Sequence, residues 1–357
     1  MMKKYLVGGA VRDELLGLSN QETEKDYVVV GSSPEEMKSL GYRQVGKYFP
    51  VFLHPESGEE YALARIERKV GSGYSGFEFN TSKEVTLEQD LLRRDLTINA
   101  IAKSKDGDLI DPCGGVKDIE RKTLRHISDA FTEDPVRLLR VARFAQRFNS
   151  LGFKIASETR LLMRQMVISG EVDSLVPERV FRELSLALSA KKASIFFNVL
   201  CECGAYQRIF PMLEIEKSVI DELDTVEDIK PEIQFAIWLH QQKIESIDAL
   251  CGHLKCPKEY HKLAELSSKW GLFMKDFIKH SAKEILDFYL QTDALRRGER
   301  FAKLLNVFRV LGFDVQIVSQ LADGLREIDV AELDKAQIVE ELFEKRLSVI
   351  RQFLDTT

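Results

Sequence analysis

Gly8-Gly9-Ala10-Val11-Arg12-Asp13, followed by Glu24-Lys25-Asp26-Tyr27-Val28-Val29-Val30, decides how this chain is read. An apolar run, Tyr5-Leu6-Val7, enters the two glycines, and a short helical segment then carries Arg12 one turn in. Glu24 and Asp26 sit two residues apart at the start of a second apolar strand. Side chains at i and i+2 of a strand share a face. The two carboxylates are therefore expected to face one point, as a shared Mg²⁺ requires. The glycines let backbone approach phosphate oxygens, and the helix start offers free N–H groups and a positive dipole end. Together these parts fit metal-assisted nucleotidyl transfer, which a Gly-Gly pair alone would not.

A chain of 357 residues exceeds one ordinary core, so two or three domains are expected. Hydrophobic content of 44% and charged content of 30% fit a globular chain without a membrane span. The start, Met1-Met2-Lys3-Lys4-Tyr5, lacks the apolar core of a signal peptide, so a cytoplasmic location is expected. Five cysteines, an odd number at scattered positions, read as reduced thiols. The spacings Cys201-x-Cys203 and Cys251-x4-Cys256 match no common zinc framework. The net charge of −6 argues mildly against a nucleic-acid partner. Charge is local, however: from Arg121 to Arg147 there are seven Lys/Arg against three Asp/Glu, a stripe able to meet phosphates.

Residues 1 to 125 alternate short strands and helices. Strand-like runs are Tyr5–Val7, Tyr27–Val30, Tyr42–Val45, Val51–Leu53, Tyr61–Ala64 and Leu109–Ile110. Ser33-Pro34-Glu35-Glu36 has the pattern of a capped helix start. Gly71-Ser72-Gly73-Tyr74-Ser75-Gly76 reads as a flexible loop flanked by Arg65, Arg68 and Lys69. From about residue 130 the strand signals end and helical periodicity takes over. The acidic stretch Glu214–Glu232 marks a boundary within the helical part.

Two further segments carry chemistry. Arg93-Arg94-Asp95-Leu96-Thr97-Ile98-Asn99-Ala100 has an apolar side and is expected to be helical, with Asp95 and Asn99 bracing a site in which Arg94 meets a triphosphate. The bland alternative is a solvated Arg-Arg pair beside a cap. In Glu133-Asp134-Pro135-Val136-Arg137-Leu138-Leu139-Arg140-Val141-Ala142-Arg143-Phe144, a helical projection puts Arg137, Arg140, Arg143 and Arg147 within an arc of about 120°. A solvated basic face is the usual fate of such a stripe. The use of arginine at every position, with no lysine, favours planar recognition of phosphates and bases instead. Asp134 and Arg137, three apart, project as neighbours, one accepting and one donating. The Watson–Crick edges of C and A offer an amino donor beside an acceptor nitrogen. Those of U and G offer a carbonyl beside an N–H donor. The pair thus suits C and A and repels U and G. Asp134 can also be read as a plain helix cap before Pro135.

These segments, in this order, resemble the class II CCA-adding enzymes, tRNA nucleotidyltransferases of the polymerase-β-like superfamily, in the bacterial branch that often carries an added HD phosphohydrolase domain. The resemblance also takes in Arg65 through Tyr74, Asp111-Pro112 with Gly114, and Glu178-Arg179 with Glu183, and covers residues 3 to 212. It implies an α+β fold: a polymerase-β-like head with a mixed sheet and helices, then an all-helical neck, body and tail. The corresponding domains are 1–125 (catalytic head), 126–212 (neck) and 213–357 (body and tail with a degenerate HD region). It implies template-independent addition of C, C and A to the tRNA 3′ end from CTP and ATP with Mg²⁺. It assigns catalysis and metal to Glu24 and Asp26, nucleotide contacts to Gly9, Arg12, Arg94, Arg140 and Arg143, and base templating to Asp134 and Arg137.

Two departures from the family pattern stand out. The metal motif Asp-x-Asp reads Glu24-Lys25-Asp26 here, which keeps the charge but adds a methylene. Octahedral Mg²⁺, with ligands at about 2.1 Å, tolerates misplacement poorly, and Glu22 could also face the site. Where the branch has His-Asp, this chain has His240-Gln241, and the phosphohydrolase centre is expected to be lost. The competing functions are a poly(A) polymerase, a partial enzyme adding only A or only CC, and an RNA-binding pseudoenzyme disabled at Glu24.

Overall fold

A computed structural model describes residues 2–20, 23–45, 51–69, 77–226, 230–329 and 337–356, the side chains of 67–69 and 77–79 aside. The chain divides into two compact units. The first runs through Val180 and includes Ile195–Ile209; the second comprises Phe181–Ser194 and the chain from Phe210 onward. The chain leaves the first unit within one helix and re-enters it within the next. The expected division after residue 125 falls inside the first unit.

The first unit is α+β. In order it holds β1 (Lys3–Val7), α1 (Gly9–Leu15), β2 (Asp26–Val30), α2 (Pro34–Ser39), β3 (Arg43–Val45), β4 (Val51–Leu53), β5 (Glu60–Leu63), β6 (Ile66–Lys69), β7 (Phe77–Asn80), α3 (Leu87–Leu92), β8 (Ala102–Lys103), β9 (Leu109–Ile110), α4 (Gly115–Glu120), β10 (Thr123–Leu124), α5 (Val136–Arg147), β11 (Lys154–Ile155) and α6 (Ser157–Ile168). The helices α7 (Pro177–Leu188) and α8 (Ala193–Glu202) follow, then α9 (Ala205–Ile209).

Seven strands form a mixed sheet in the order β3-β4-β5-β2-β1-β8-β9. β1 is antiparallel to β2 and β8, and β2 is parallel to β5. Alternation along β2 sends Val28 and Val29 to opposite faces. Val28 joins Val7, Ala64, Val85, Leu87, Leu91, Ala100 and Ala102, so α3 covers that face. Val29 joins Met37, Phe52, Tyr61 and Leu63, so α2 covers the other. The start of α2 follows its sequence signature: Pro34 opens it and Ser33 Oγ accepts from the Glu36 N–H at 3.4 Å.

β6 and β7 form a separate hairpin, and the glycine-rich loop expected between them lies outside the described residues. Strand does not end at residue 130 as expected. Lys154–Ile155 pairs in parallel with Thr123–Leu124. Two residues are too short a run to register as periodicity.

The second unit is helical, with α10 (Lys217–Glu222), α11 (Pro231–Leu239), α12 (Ile244–Leu254), α13 (Lys258–Met274), α14 (Ala282–Gln291), α15 (Gly298–Val310), α16 (Gln316–Arg326) and α17 (Ile338–Thr356). Its core is an aromatic network. Trp270 meets Phe273 and Phe288 edge-on at 5.1 and 5.2 Å, and Tyr289 meets Phe288 at 5.2 Å. The buried Tyr289 hydroxyl is satisfied by the Val318 carbonyl at 2.8 Å. Among the described residues no helix is long and apolar enough to cross a membrane.

Candidate active site

The site starts from a register. In the antiparallel pair β1–β2, Val7 lies opposite Asp26. The residue that enters the Gly8-Gly9 turn is thus the direct neighbour of the first residue of β2. Asp26 lies on the Val28 face by alternation, the face covered by α3. Glu24 precedes the strand rather than starting it. Partial enclosure raises the Asp26 carboxyl above its ordinary value. The positive charge of Arg94 opposes the shift, and the negative charge of Glu24 adds to it.

That combination fits a divalent cation. Two hard oxygen donors repel one another, and one is already disfavoured as a bare anion. A small cation relieves both penalties and, as Mg²⁺ does, takes its remaining ligands from water and phosphate. Among the described residues no group of three His, Cys, Asp or Glu side chains could hold a metal. Glu22 lies outside the described residues.

Gly8 turns the chain with a φ of +69°, which L side chains rarely adopt, and it caps α1. A Cβ there would lie 2.9 Å from Arg94 Nη1. The glycine therefore makes room for the guanidinium as well as for the turn. Arg94 follows α3 directly; its Nη2 donates to Asp90 Oδ2 at 3.2 Å and its Nη1 to the Asn99 carbonyl at 3.4 Å. Its Nε is buried without an acceptor. An orphaned donor on a cation beside a glycine turn is suited to a phosphate oxygen.

The segment after Arg94 is not the continuous helix expected. α3 ends at Leu92, Leu96 bridges to His126, and Thr97–Asn99 form a 3₁₀ turn. The cause is side-chain competition for the backbone. Asp95 Oδ1 accepts from the Leu96 N–H at 2.8 Å and from Asn99 Nδ2 at 2.9 Å. Asp95 and Asn99 meet as expected, but through the turn and not along a helix face. The turn is pinned from behind by α4. Asp111 accepts the N–H groups of Gly115 and Val116 at 2.7 and 2.8 Å, and Thr97 Oγ1 donates to Asp118 at 2.7 Å. A Cβ on Gly115 would strike the Thr97 carbonyl at 2.2 Å. Asp111 thus caps the start of α4, which packs against the 3₁₀ turn through Gly115 and Asp118.

Asn99 Oδ1 in turn accepts from Arg12, whose Nε is paired with Asp13 at 2.8 Å. Arg12 is 3% exposed and lies over the Phe144 and Phe148 rings at 5.2 and 5.0 Å. It is a buried brace between α1, the 3₁₀ turn and α5.

The arginine ridge of α5 is tied into this network, with Arg137 buried, Arg140 and Arg143 half-buried and Arg147 exposed at its far end. Arg137 donates to the carbonyls of Ala130 and Arg93 at 2.8 and 2.7 Å. Arg140 Nε donates to Asp95 at 2.7 Å, and Arg147 to Asp13 at 2.8 Å. Arg143 lies over the Phe144 ring at 4.6 Å. Burial pushes the Asp95 carboxyl up, but the Arg140 charge and the Asn99 and Leu96 donors hold it well below the usual range. Asp134 is extended and precedes Pro135, which already has helical dihedrals, so the cap contact expected of Asp134 is present at the start of α5 (Val136). The Asp134 carboxylate accepts the fork of Arg179 at 2.9 and 2.8 Å and the Val136 N–H at 3.3 Å. Arg179 carries no signal in the sequence beyond its place beside Glu178 in the segment shared with the family.

A glycine turn with a strand carboxylate beside it and the Arg94 guanidinium against it, in a unit built on a mixed sheet, has the make-up of a nucleotidyltransferase site. Residues 4–125 match the "Poly A polymerase head domain" family, and 152–216 match the "Probable RNA and SrmB- binding site of polymerase A". The chain is 46% identical to a CCA-adding enzyme of Coxiella burnetii (strain RSA 331 / Henzerling II), covering 98% of this chain and 94% of that one. It is 46% identical to a multifunctional CCA protein of Teredinibacter turnerae, over 84% and 82% of the two chains. A solved apo form of a CCA-adding enzyme superposes with a TM-score of 0.74 at 21% identity, over 99% and 88% of the chains, a likeness of fold. The chain belongs to the CCA-adding enzyme family.

Proposed function

We propose that this chain adds C, C and A to the 3′ end of tRNA from CTP and ATP in the cytoplasm, releasing pyrophosphate, with Mg²⁺ held by Glu24 and Asp26. The observation that carries the reading is the register placing Asp26 beside the Gly8-Gly9 turn, with the Arg94 charge bearing on both. The chemistry that Mg²⁺ supplies at such a carboxylate pair is neutralisation of the triphosphate and acidification of the attacking hydroxyl. The tRNA 3′ oxygen forms the new bond to the α-phosphorus, and the bond to the bridging oxygen of pyrophosphate breaks. No covalent enzyme intermediate is required.

The chain's own residues orient and neutralise. Gly9 lets backbone approach the phosphates, and Arg94 offers its orphaned Nε to them. Arg140 and Arg143 extend the positive field along α5. Arg12 acts from behind, holding Asn99 and the aromatic face of α5 in place. Asp134 and Arg137 present an acceptor and a donor to the incoming base. Arg179 orients the acceptor.

The family match named for poly(A) polymerase supplies a second reading, in which only ATP is used. Incorporation of labelled CTP, ATP and UTP into tRNA lacking its last three nucleotides separates them. The proposal expects two C and one A, and no U. ATP-only extension favours the second reading, and no incorporation of any nucleotide favours an RNA-binding pseudoenzyme.

A further inference from the structure

Asp90 has no role in the reaction described above, yet it is 1% exposed and stands at a junction. Its place follows from a short helix. Thr86 and Gln89 close a capping box at the start of α3, with Gln89 N–H to Thr86 Oγ1 at 3.2 Å and Thr86 N–H to Gln89 Oε1 at 2.9 Å. Leu87 and Leu91 anchor the helix to the sheet. Asp90 then projects toward residues three and four further on, which are Arg93 and Arg94. Its Oδ1 accepts from Arg93 Nη2 at 3.2 Å and its Oδ2 from Arg94 Nη2 at 3.2 Å. The same Oδ1 also accepts the backbone N–H of Arg65 at 3.3 Å, immediately before the β6–β7 hairpin.

One buried carboxylate therefore ties three things together: the guanidinium beside the glycine turn, its neighbour Arg93, and the root of a hairpin. Arg93 is itself linked to the helix of the base-reading pair, because its carbonyl accepts from Arg137 at 2.7 Å. A buried anion is costly unless it is fully paired. Here the pairing also fixes the direction of Arg94, leaving its Nε without a protein acceptor.

We infer that Asp90 is a positioning residue for nucleotide binding, which sets the Arg94 guanidinium against the triphosphate and couples it to the position of the β6–β7 hairpin. The inference rests on the reading of Arg94 as a triphosphate contact. It is distinct from metal binding, since Asp90 belongs to the interior and not to the carboxylate pair.

The test is a double-mutant cycle on CTP and ATP affinity in Arg94→Ala, Asp90→Asn and the combined chain, measured by calorimetry with Mg²⁺ and without tRNA. Arg94→Ala alone should weaken both nucleotides about tenfold or more, and Asp90→Asn should do the same. In the Arg94→Ala background, Asp90→Asn should then change affinity by less than about twofold. Additive losses, or a melting point that falls with affinity unchanged, would make Asp90 a stability residue only and overturn the inference. An unaltered affinity in Arg94→Ala would overturn the reading of Arg94 and the inference with it. Should Asp90→Asn fail to fold, the chain carrying Asp90→Asn with Arg93→Gln removes one stranded charge. It is compared with Arg93→Gln alone, with the same affinity loss expected.

Discussion

The two units bury different chemistry. In the first, the buried polar side chains include Arg12, Asp13, Asp90, Asp95, Asp118 and Arg137, all charged and all partnered, Asp90 and Asp118 by nearby arginines and Asp13, Asp95 and Arg137 across long sequence separations. In the second, apart from Glu183, they are neutral: Ser194, Gln234, Gln242, Ser267 and Thr292. Several of the neutral ones bond to backbone, as Ser267 does to Ala264 at 2.9 Å and Gln242 to Glu214 at 3.1 Å. Burying charge costs several kcal/mol per ion before pairing. The second unit builds its core by aromatic packing instead. The first retains charge around the glycine turn, where buried carboxylates hold the arginines in place.

The sharpest way to break this contrast is to remove charge from each unit in turn. Asp26→Ala should abolish incorporation of both CTP and ATP, by about a thousandfold or more, equivalent to roughly 4 kcal/mol in the barrier. tRNA binding and the melting point should barely move, because Asp26 is only partly enclosed, at the first residue of β2. A radiolabel incorporation assay beside a melting curve checks both.

Asp95→Asn should act on stability first. Removing one partner of a fully buried pair costs about 3–5 kcal/mol, and Arg140 is 35% exposed, so about 2 kcal/mol is expected here. The pH dependence has a definite sign. The Asp95 and Asp90 carboxyls are both held below their ordinary values in the folded chain. The unfolded chain therefore binds protons first, and the stability these groups contribute above about pH 4 is lost as pH falls toward their folded values. Melting points taken from pH 7 downward should converge for wild type and Asp95→Asn. A constant gap would show that Asp95 acts by packing and not by charge.

Asp134→Ala should damage choice more than rate. Losing the acceptor that matches the amino group of C and A costs on the order of 1–3 kcal/mol, so selectivity against UTP should fall about 5- to 150-fold. Arg179→Ala leaves the acceptor but frees its orientation, and should cost about tenfold or less. Unaltered CTP/UTP and ATP/GTP ratios in both variants, with lowered melting points, would make the Arg179 fork structural.

The smallest effect belongs to the second unit. His240 Nδ1 meets the Ile237 carbonyl at 2.8 Å at the end of α11. His240→Ala should lower stability by about 1 kcal/mol and leave nucleotide incorporation unchanged. Hydrolysis of 2′,3′-cyclic nucleotides with Ni²⁺ or Mn²⁺ that vanished in His240→Ala would contradict the expected loss of the phosphohydrolase centre.

What the sequence revealed was local. The strand–glycine–helix unit, the second strand with its carboxylates and the arginine spacing of α5 all follow from period and turn chemistry over a few residues. What it hid were partners. Nothing near Arg140 names Asp95, 45 residues away, and nothing near Asp134 names Arg179, also 45 residues away. The apolar spacing after Arg94 allows a helix. The side chain of Asp95 takes the Leu96 N–H, and Leu96 bridges to His126, so the backbone turns instead. A stripe of arginines looks solvated until its carboxylates are found.

The central claim is that charge in the first unit, at the glycine turn, holds the metal and triphosphate. Calorimetric titration of CTP with Mn²⁺ into wild type, Asp26→Ala and His240→Ala tests it most directly. The account predicts metal-dependent CTP binding that is lost in Asp26→Ala and intact in His240→Ala. Retention of that binding in Asp26→Ala, or its loss in His240→Ala, would contradict it.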